Sequence, residues 1–170
     1  MYPREIAPDT ASFAERMLFR LLRDSLPEQF RVFHSVEWNI LRPETGQKPI
    51  GEADFVIAHP DLGVLILEVK GGGIRADASG WYTRPRDSSE WKPLKQNPVN
   101  QARSSVYALK QHMEHSRLTK THKYAVFEAV AFPDVRFNAE MTPQLLRDII
   151  IDESKLDHLE KAIRTAYAYW

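Results

Sequence analysis

The sequence predicts an α/β domain in which a central mixed β-sheet is flanked by α-helices. Segments with apolar residues at helical spacing bracket segments that alternate or are aliphatic throughout. Proline, glycine and asparagine cluster between these segments rather than inside them. The 170 residues, 43% hydrophobic and 27% charged, suit one folded domain spanning 1–170, with a core over about 12–132 and C-terminal helices over 143–170.

The elements follow in order. Residues 12–26 predict a helix, because Ala14, Met17, Leu18, Leu21 and Leu22 recur at its period. Ser12 with Glu15 three residues later forms a capping-box pattern, and Pro27 stops the helix. Residues 30–41 alternate through Val32, His34, Val36, Trp38 and Ile40 and predict a strand. Residues 53–58 and 64–70 predict two further strands joined by the five-residue turn "HPDLG". Residues 74–95, with Trp81, Tyr82 and Trp91, predict a hairpin or loop. Asn97-Pro98 marks a helix start, with asparagine as cap and proline in the first turn. Val99, Ala102, Val106, Leu109 and Met113 form its apolar stripe to about Arg117. Residues 123–132 predict a buried strand, and 143–150 and 155–170 predict helices.

Composition excludes several classes of function. There is no cysteine, which removes disulfides, thiolate metal sites and cysteine nucleophiles, and fits a reducing, cytoplasmic setting. No apolar run approaches the roughly 20 residues that span a bilayer, so no membrane association is expected. The 23 basic and 23 acidic residues balance. They are not evenly spread: residues 70–103 carry a net charge of +4 and residues 134–160 a net charge of −4. A neutral chain can thus still present one basic face.

The chemistry concentrates in "ILEVKGGG", residues 66–73. Glu68 and Lys70 interrupt an aliphatic strand, where an uncompensated charge costs several kcal/mol. If the turn is centred on Asp61, Ile57 faces Leu65, Asp54 faces Glu68 and Glu52 faces Lys70. Ala53, Phe55, Leu65, Leu67 and Val69 then share the opposite face. Two opposed carboxylates on a half-buried sheet must share a proton or hold a cation between them. A hard divalent ion takes one or two carboxylates and keeps waters, one of which it can activate. Lys70, on the same face, can orient that water or offset charge on a phosphate. A one-residue slip in register would break the constellation.

At these residues the chain resembles the PD-(D/E)xK, restriction-endonuclease-like nuclease superfamily, and more closely its nuclease-related domain. "FAERMLFRLL" resembles the first helix with an inward Glu15. "GEADFVIAHPDLGVLILEVKGG" resembles the core hairpin, with Asp54, Glu68 and Lys70 as the Asp…Glu-x-Lys set. "GWYTRP" resembles the following tryptophan hairpin, and "NPVNQARSSVYAL" the helix that carries a motif glutamine, Gln101. The likeness covers about residues 12–132. One departure is Ala53, where the superfamily's name has proline.

The resemblance implies a restriction-endonuclease-like core and Mg²⁺- or Mn²⁺-dependent DNA hydrolysis in repair or processing. It implies Asp54 and Glu68 as metal ligands with the Val69 carbonyl beside them, and Lys70 positioning the water. It also implies Glu15 and Gln101 in support, and a helicase or other module in the same or a longer chain. A non-catalytic DNA-binding module of a larger repair assembly is the second reading.

For several residues two readings stand. Glu15 either closes the cap or joins the site. Glu52 is expected as a partner of Lys70 or an edge residue. Trp81, Tyr82 and Trp91 either stack on bases or cover the core edge, with the core edge expected for the tryptophans, and Arg75, Arg84, Arg86, Lys92 and Lys95 are candidate phosphate contacts. Gly71–Gly73 is either a turn or a place for close backbone approach. His112 and His115 are expected to be surface residues.

Overall fold

The computed structural model describes residues 1–6, 12–39, 50–138 and 147–170. Helix α1 (Phe13–Ser25) is followed by strands β1 (Arg31–Asn39), β2 (Ile50–His59) and β3 (Gly63–Val69). A second group of strands comes next: β4 (Gly73–Asp77), β5 (Gly80–Arg84) and β6 (Lys92–Pro93). Helix α2 (Pro98–His115), strand β7 (Val126–Phe132), strand β8 (Ile150–Asp152) and helix α3 (Leu159–Tyr169) complete the order. The main sheet has five strands in the order β1-β2-β3-β7-β8, and β4-β5-β6 form a separate three-stranded sheet. The main sheet is mixed: β1-β2-β3 pair antiparallel, whereas β3-β7 and β7-β8 pair parallel.

The helices cover both faces of the main sheet. On one side Leu18, Phe19 and Leu22 of α1 and Ile163 and Ala166 of α3 pack on Phe55, Ile57, Leu65, Leu67 and Ala129. On the other, Val106 and Ala108 of α2 pack on Trp38, Ala53, Val56 and Ile66. Both faces of β3 are therefore covered by apolar side chains, which is why that strand reads as almost uninterrupted aliphatic sequence. The helix caps form as expected: Ser12 Oγ accepts from the Glu15 amide, and Asn97 Oδ1 from the Val99 amide.

The hairpin register is the one its turn length predicts. Ile57 pairs with Leu65 and Phe55 with Leu67. The face assignment is only partly right. Ala53 belongs to the α2 side with Trp38, not to the Phe55 side. The same reversal divides β1: Val32 packs toward α1, whereas Val36 and Trp38 pack toward α2. Between them Ser35 has φ 53°, a left-handed backbone that interrupts the strict alternation of a strand. Asp54 lies opposite this interruption, between the Phe55–His34 and Ala53–Val36 pairs.

Other elements depart from expectation. The helix expected over 143–150 lies partly outside the described residues; what is described is a short 3-10 turn, Arg147–Ile149, leading directly into β8. Three apolar residues are too few for periodicity to separate strand from helix, and pairing with β7 decides the matter. The last helix begins as a 3-10 segment, Glu153–His158, before α3. Residues 74–95 hold the expected hairpin, β4–β5, to which β6 adds a third strand. Among the described residues no helix is long and apolar enough to cross a membrane.

The glycine run is a turn. Gly72 has φ +77°, and a Cβ there would run into the Arg84 carbonyl oxygen. Its amide donates to Asp134 Oδ2 at 2.7 Å. Gly72→Ala is expected to cost about 2 kcal/mol or more, a fall of roughly 4–8 °C in melting temperature. An unchanged melting temperature would contradict this account of the turn.

Candidate active site

Glu68 is the penultimate residue of β3, and Lys70 follows the strand directly. Glu68 is buried to 1% exposure, and Lys70 Nζ lies 2.6 Å from Glu68 Oε1. The other oxygen, Oε2, is buried and has no hydrogen-bond partner. Leaving a buried carboxylate oxygen without a donor costs about 1–3 kcal/mol, so this atom calls for an explanation.

Asp54 approaches from β2. Its Oδ2 accepts the Val69 amide at 2.7 Å, so the carboxylate occupies the place of the next ladder bond. Burial and the adjacent Glu68 charge raise its pKa to about 7, against the pull of the Val69 amide. Burial also raises the pKa of Glu68, and the charge and hydrogen bond of Lys70 offset this in part. The two carboxyls thus behave as a pair that cannot readily both ionise without further positive charge.

Glu15 comes from the first turn of α1. Its Oε2 lies 3.4 Å from Nε2 of His34, whose ring is buried against Phe19 and Phe55. The hydrogen bond with His34 holds the Glu15 carboxyl below its usual range, with Ser12 adding to this and burial opposing it. Glu15 sits in the cap, where its amide donates to Ser12 Oγ, and its carboxylate turns toward His34.

Gln101 lines a cleft of about 570 Å³ together with Lys70, Glu52, Trp38 and Lys95. Glu52 is not the partner of Lys70. It is exposed and hydrogen-bonded to Ser35 Oγ, because the reversal at Ser35 separates it from the Glu68 pair. A larger groove of about 690 Å³ lies beside the His59–Gly63 turn, away from these carboxylates.

The basic candidates separate into groups. Arg86 is already engaged: it donates to both oxygens of Asp134 and lies 3.8 Å over the Phe13 ring. Burial works against ionisation of Asp134, but Arg86 and the Gly72 amide outweigh it and hold the carboxyl below its usual range. Arg86 is thus a clamp across the Gly72 turn rather than a ready phosphate contact. Arg75 and Arg84 stand on the small sheet, and Lys92 and Lys95 are exposed. Trp81 covers the core edge as expected, stacked on Phe137, but Trp91 does not.

Sequence reasoning missed His34 and Asp134. His34 looked like one more residue in an alternating strand; its only signal was a histidine among apolar neighbours. Asp134 looked like a strand terminator in "PD". Its partners lie 48 and 62 residues away, beyond any local pattern.

Among the described residues, no group of three or more histidine, aspartate or glutamate side chains forms a ready-made metal cluster. The donor set here is smaller: two carboxylates with an adjacent main-chain segment. That set suits a hard divalent cation that retains several waters, and the unpartnered Glu68 Oε2 is an available ligand atom.

A mixed five-stranded sheet between helices, with Asp…Glu-x-Lys at the end of its central hairpin, defines the restriction-endonuclease-like class. Residues 10–133 match the family described as nuclease-related domain, and the chain belongs to that family. Its function is accordingly nuclease-related. No curated protein matches the chain significantly.

Proposed function

We propose that this domain is a divalent-cation-dependent deoxyribonuclease that hydrolyses DNA phosphodiester bonds. The observation that carries the reading is the Glu68 carboxylate, buried at the end of a core strand with one oxygen on Lys70 and the other unpartnered. Asp54, Glu68 and the Val69 carbonyl are the proposed holders of Mg²⁺ or Mn²⁺. Such an ion supplies Lewis-acid activation of water and of the scissile phosphate.

The chain's own groups do the rest. Lys70 keeps its ammonium group at the mouth of the site through Glu68, where it can donate to the attacking water or to a phosphate oxygen. Glu15, held by His34 and Ser12, adds negative field that favours a cation beside Asp54 and Glu68. Gln101 faces the same cleft as Lys70 and can hydrogen-bond a water or a phosphate oxygen there.

The test is cleavage of plasmid and single-stranded DNA in Mg²⁺ or Mn²⁺, comparing the native chain with Glu68→Ala. Metal-dependent cleavage lost in the variant is expected. DNA binding without cleavage under any divalent ion favours the non-catalytic module instead.

A pH dependence follows from Asp54. Its carboxyl must ionise to bind a cation. With a pKa of about 7, Mn²⁺ affinity is expected to rise by up to about tenfold per pH unit below that value and to level off above it. Titration calorimetry at pH 5.5, 6.5 and 8 checks this, and a flat profile contradicts it.

A further inference from the structure

The small sheet has two unlike faces. Ile74 and Ala76 of β4 are buried, and they pair with Thr83 and Trp81 of β5, so this face lies on the core. The outer face carries Gly73 and Arg75 paired with Arg84 and Tyr82. Trp91 joins it from the segment before β6: a Cβ at Gly73 would lie 3.1 Å from the Trp91 ring, so glycine leaves room for the indole.

On this face planar groups alternate. Arg75 Cζ lies 4.8 Å from the Tyr82 centroid and 4.8 Å from the Trp91 centroid. Arg84 Cζ lies 5.0 Å from the centroid of the same indole. Arg75 thus touches both rings, and Arg84 touches the indole. The Arg75 side chain remains 48% exposed, so stacking restrains its plane while leaving hydrogen-bonding edges open; Asp77 engages it only at 3.7 Å. Residues 73–95 carry a net charge of +2.

The ladder adjoins the candidate site. Gly73 is three residues beyond Lys70, and Leu94 and Lys95, just past β6, line the Lys70 cleft. Guanidinium and aromatic planes side by side can offer stacking surfaces to bases and donors to phosphates. Bases with free faces occur in an unpaired strand, whereas a duplex offers phosphates and groove edges.

We propose that the outer face of the small sheet is a track for single-stranded DNA, with Trp91 and Arg75 at its centre and the Lys70 cleft at its end. This rests on the nuclease reading for its substrate class, but its test does not require cleavage. Phosphates lie against Arg75 and Arg84, and bases stack on the ladder.

The experiment measures anisotropy of a fluorescein-labelled 12-nucleotide oligothymidine and of a 12-base-pair duplex, in EDTA, over a range of salt. The single strand is expected to bind more tightly. Trp91→Leu is expected to weaken its binding about tenfold with the salt slope unchanged. Arg75→Gln is expected to lower the slope of log affinity against log salt by about 0.7. A merely structural role for Trp91 would move melting temperature and not the affinity of the folded fraction. Equal affinity for duplex, no single-strand binding, or native affinity in both variants overturns the track. A chain that binds as described yet never cleaves in Mg²⁺ or Mn²⁺ fails the nuclease reading and leaves the track standing. A chain that cleaves but is indifferent to both substitutions does the reverse.

Discussion

Lys70→Ala is expected to remove metal-dependent DNA cleavage, by at least about 10²–10³-fold in rate, while the domain stays folded. Removing one preorganised donor from a site where charge develops typically has that effect. The folded state survives because Glu68 need not remain a stranded anion. Burial already raises its pKa, so losing the ammonium 2.6 Å away drives it further toward the neutral acid. The destabilisation in metal-free buffer should therefore be smaller at pH 6 than at pH 8. Gel assays of plasmid nicking alongside thermal melts separate the two effects. Native-like nicking by the variant would remove Lys70 from the mechanism.

Glu68→Gln is expected to abolish cleavage and yet raise the stability of the metal-free domain by about 1–2 kcal/mol, or roughly 2–8 °C in melting temperature at pH 8. The sign follows from linkage. The folded-state pKa of Glu68 is raised, so its contribution is most favourable below the unfolded pKa. That contribution is lost as pH rises through the folded value. Glutamine keeps the shape without the charge. It can accept from Lys70, and it gives the site of the unpartnered oxygen a group that need not be ionised. Adding Mn²⁺ should reverse the ranking: the native chain gains about 2.7 kcal/mol at one hundred times the dissociation constant, and the variant gains nothing. Such a crossover marks a site whose preorganisation costs stability. A variant less stable than the native chain at pH 8 without metal would show that the buried carboxylate stabilises the fold.

The hairpin was the most legible part of the molecule. A five-residue turn and two aliphatic runs set the Ile57–Leu65 and Phe55–Leu67 pairs; the ladder ends there, and Asp54 meets β3 by accepting the Val69 amide. Helices α1 and α2 were legible from their caps and stripes. What escaped depended on non-local structure. The left-handed Ser35 reverses the faces of β1 and β2, which no period-2 reading anticipates. Strand β8 is recognisable only beside β7. Trp81 and Trp91 carry the same composition signal, but one pairs with Ala76 on the inner face and the other seats over Gly73 on the outer. Likewise the basic run 70–103 is not uniformly available, since Arg86 is held by Asp134 and Arg103 by Glu128 at 2.8 Å.

The central claim is that Asp54 and Glu68 together hold a divalent cation. Calorimetric titration of Mn²⁺ into the native chain, Asp54→Asn and Glu68→Gln at pH 8 tests it most directly. The account predicts saturable binding by the native chain and loss of that binding in both variants, with all three folded. No binding by the native chain, or binding unchanged by either substitution, would contradict it.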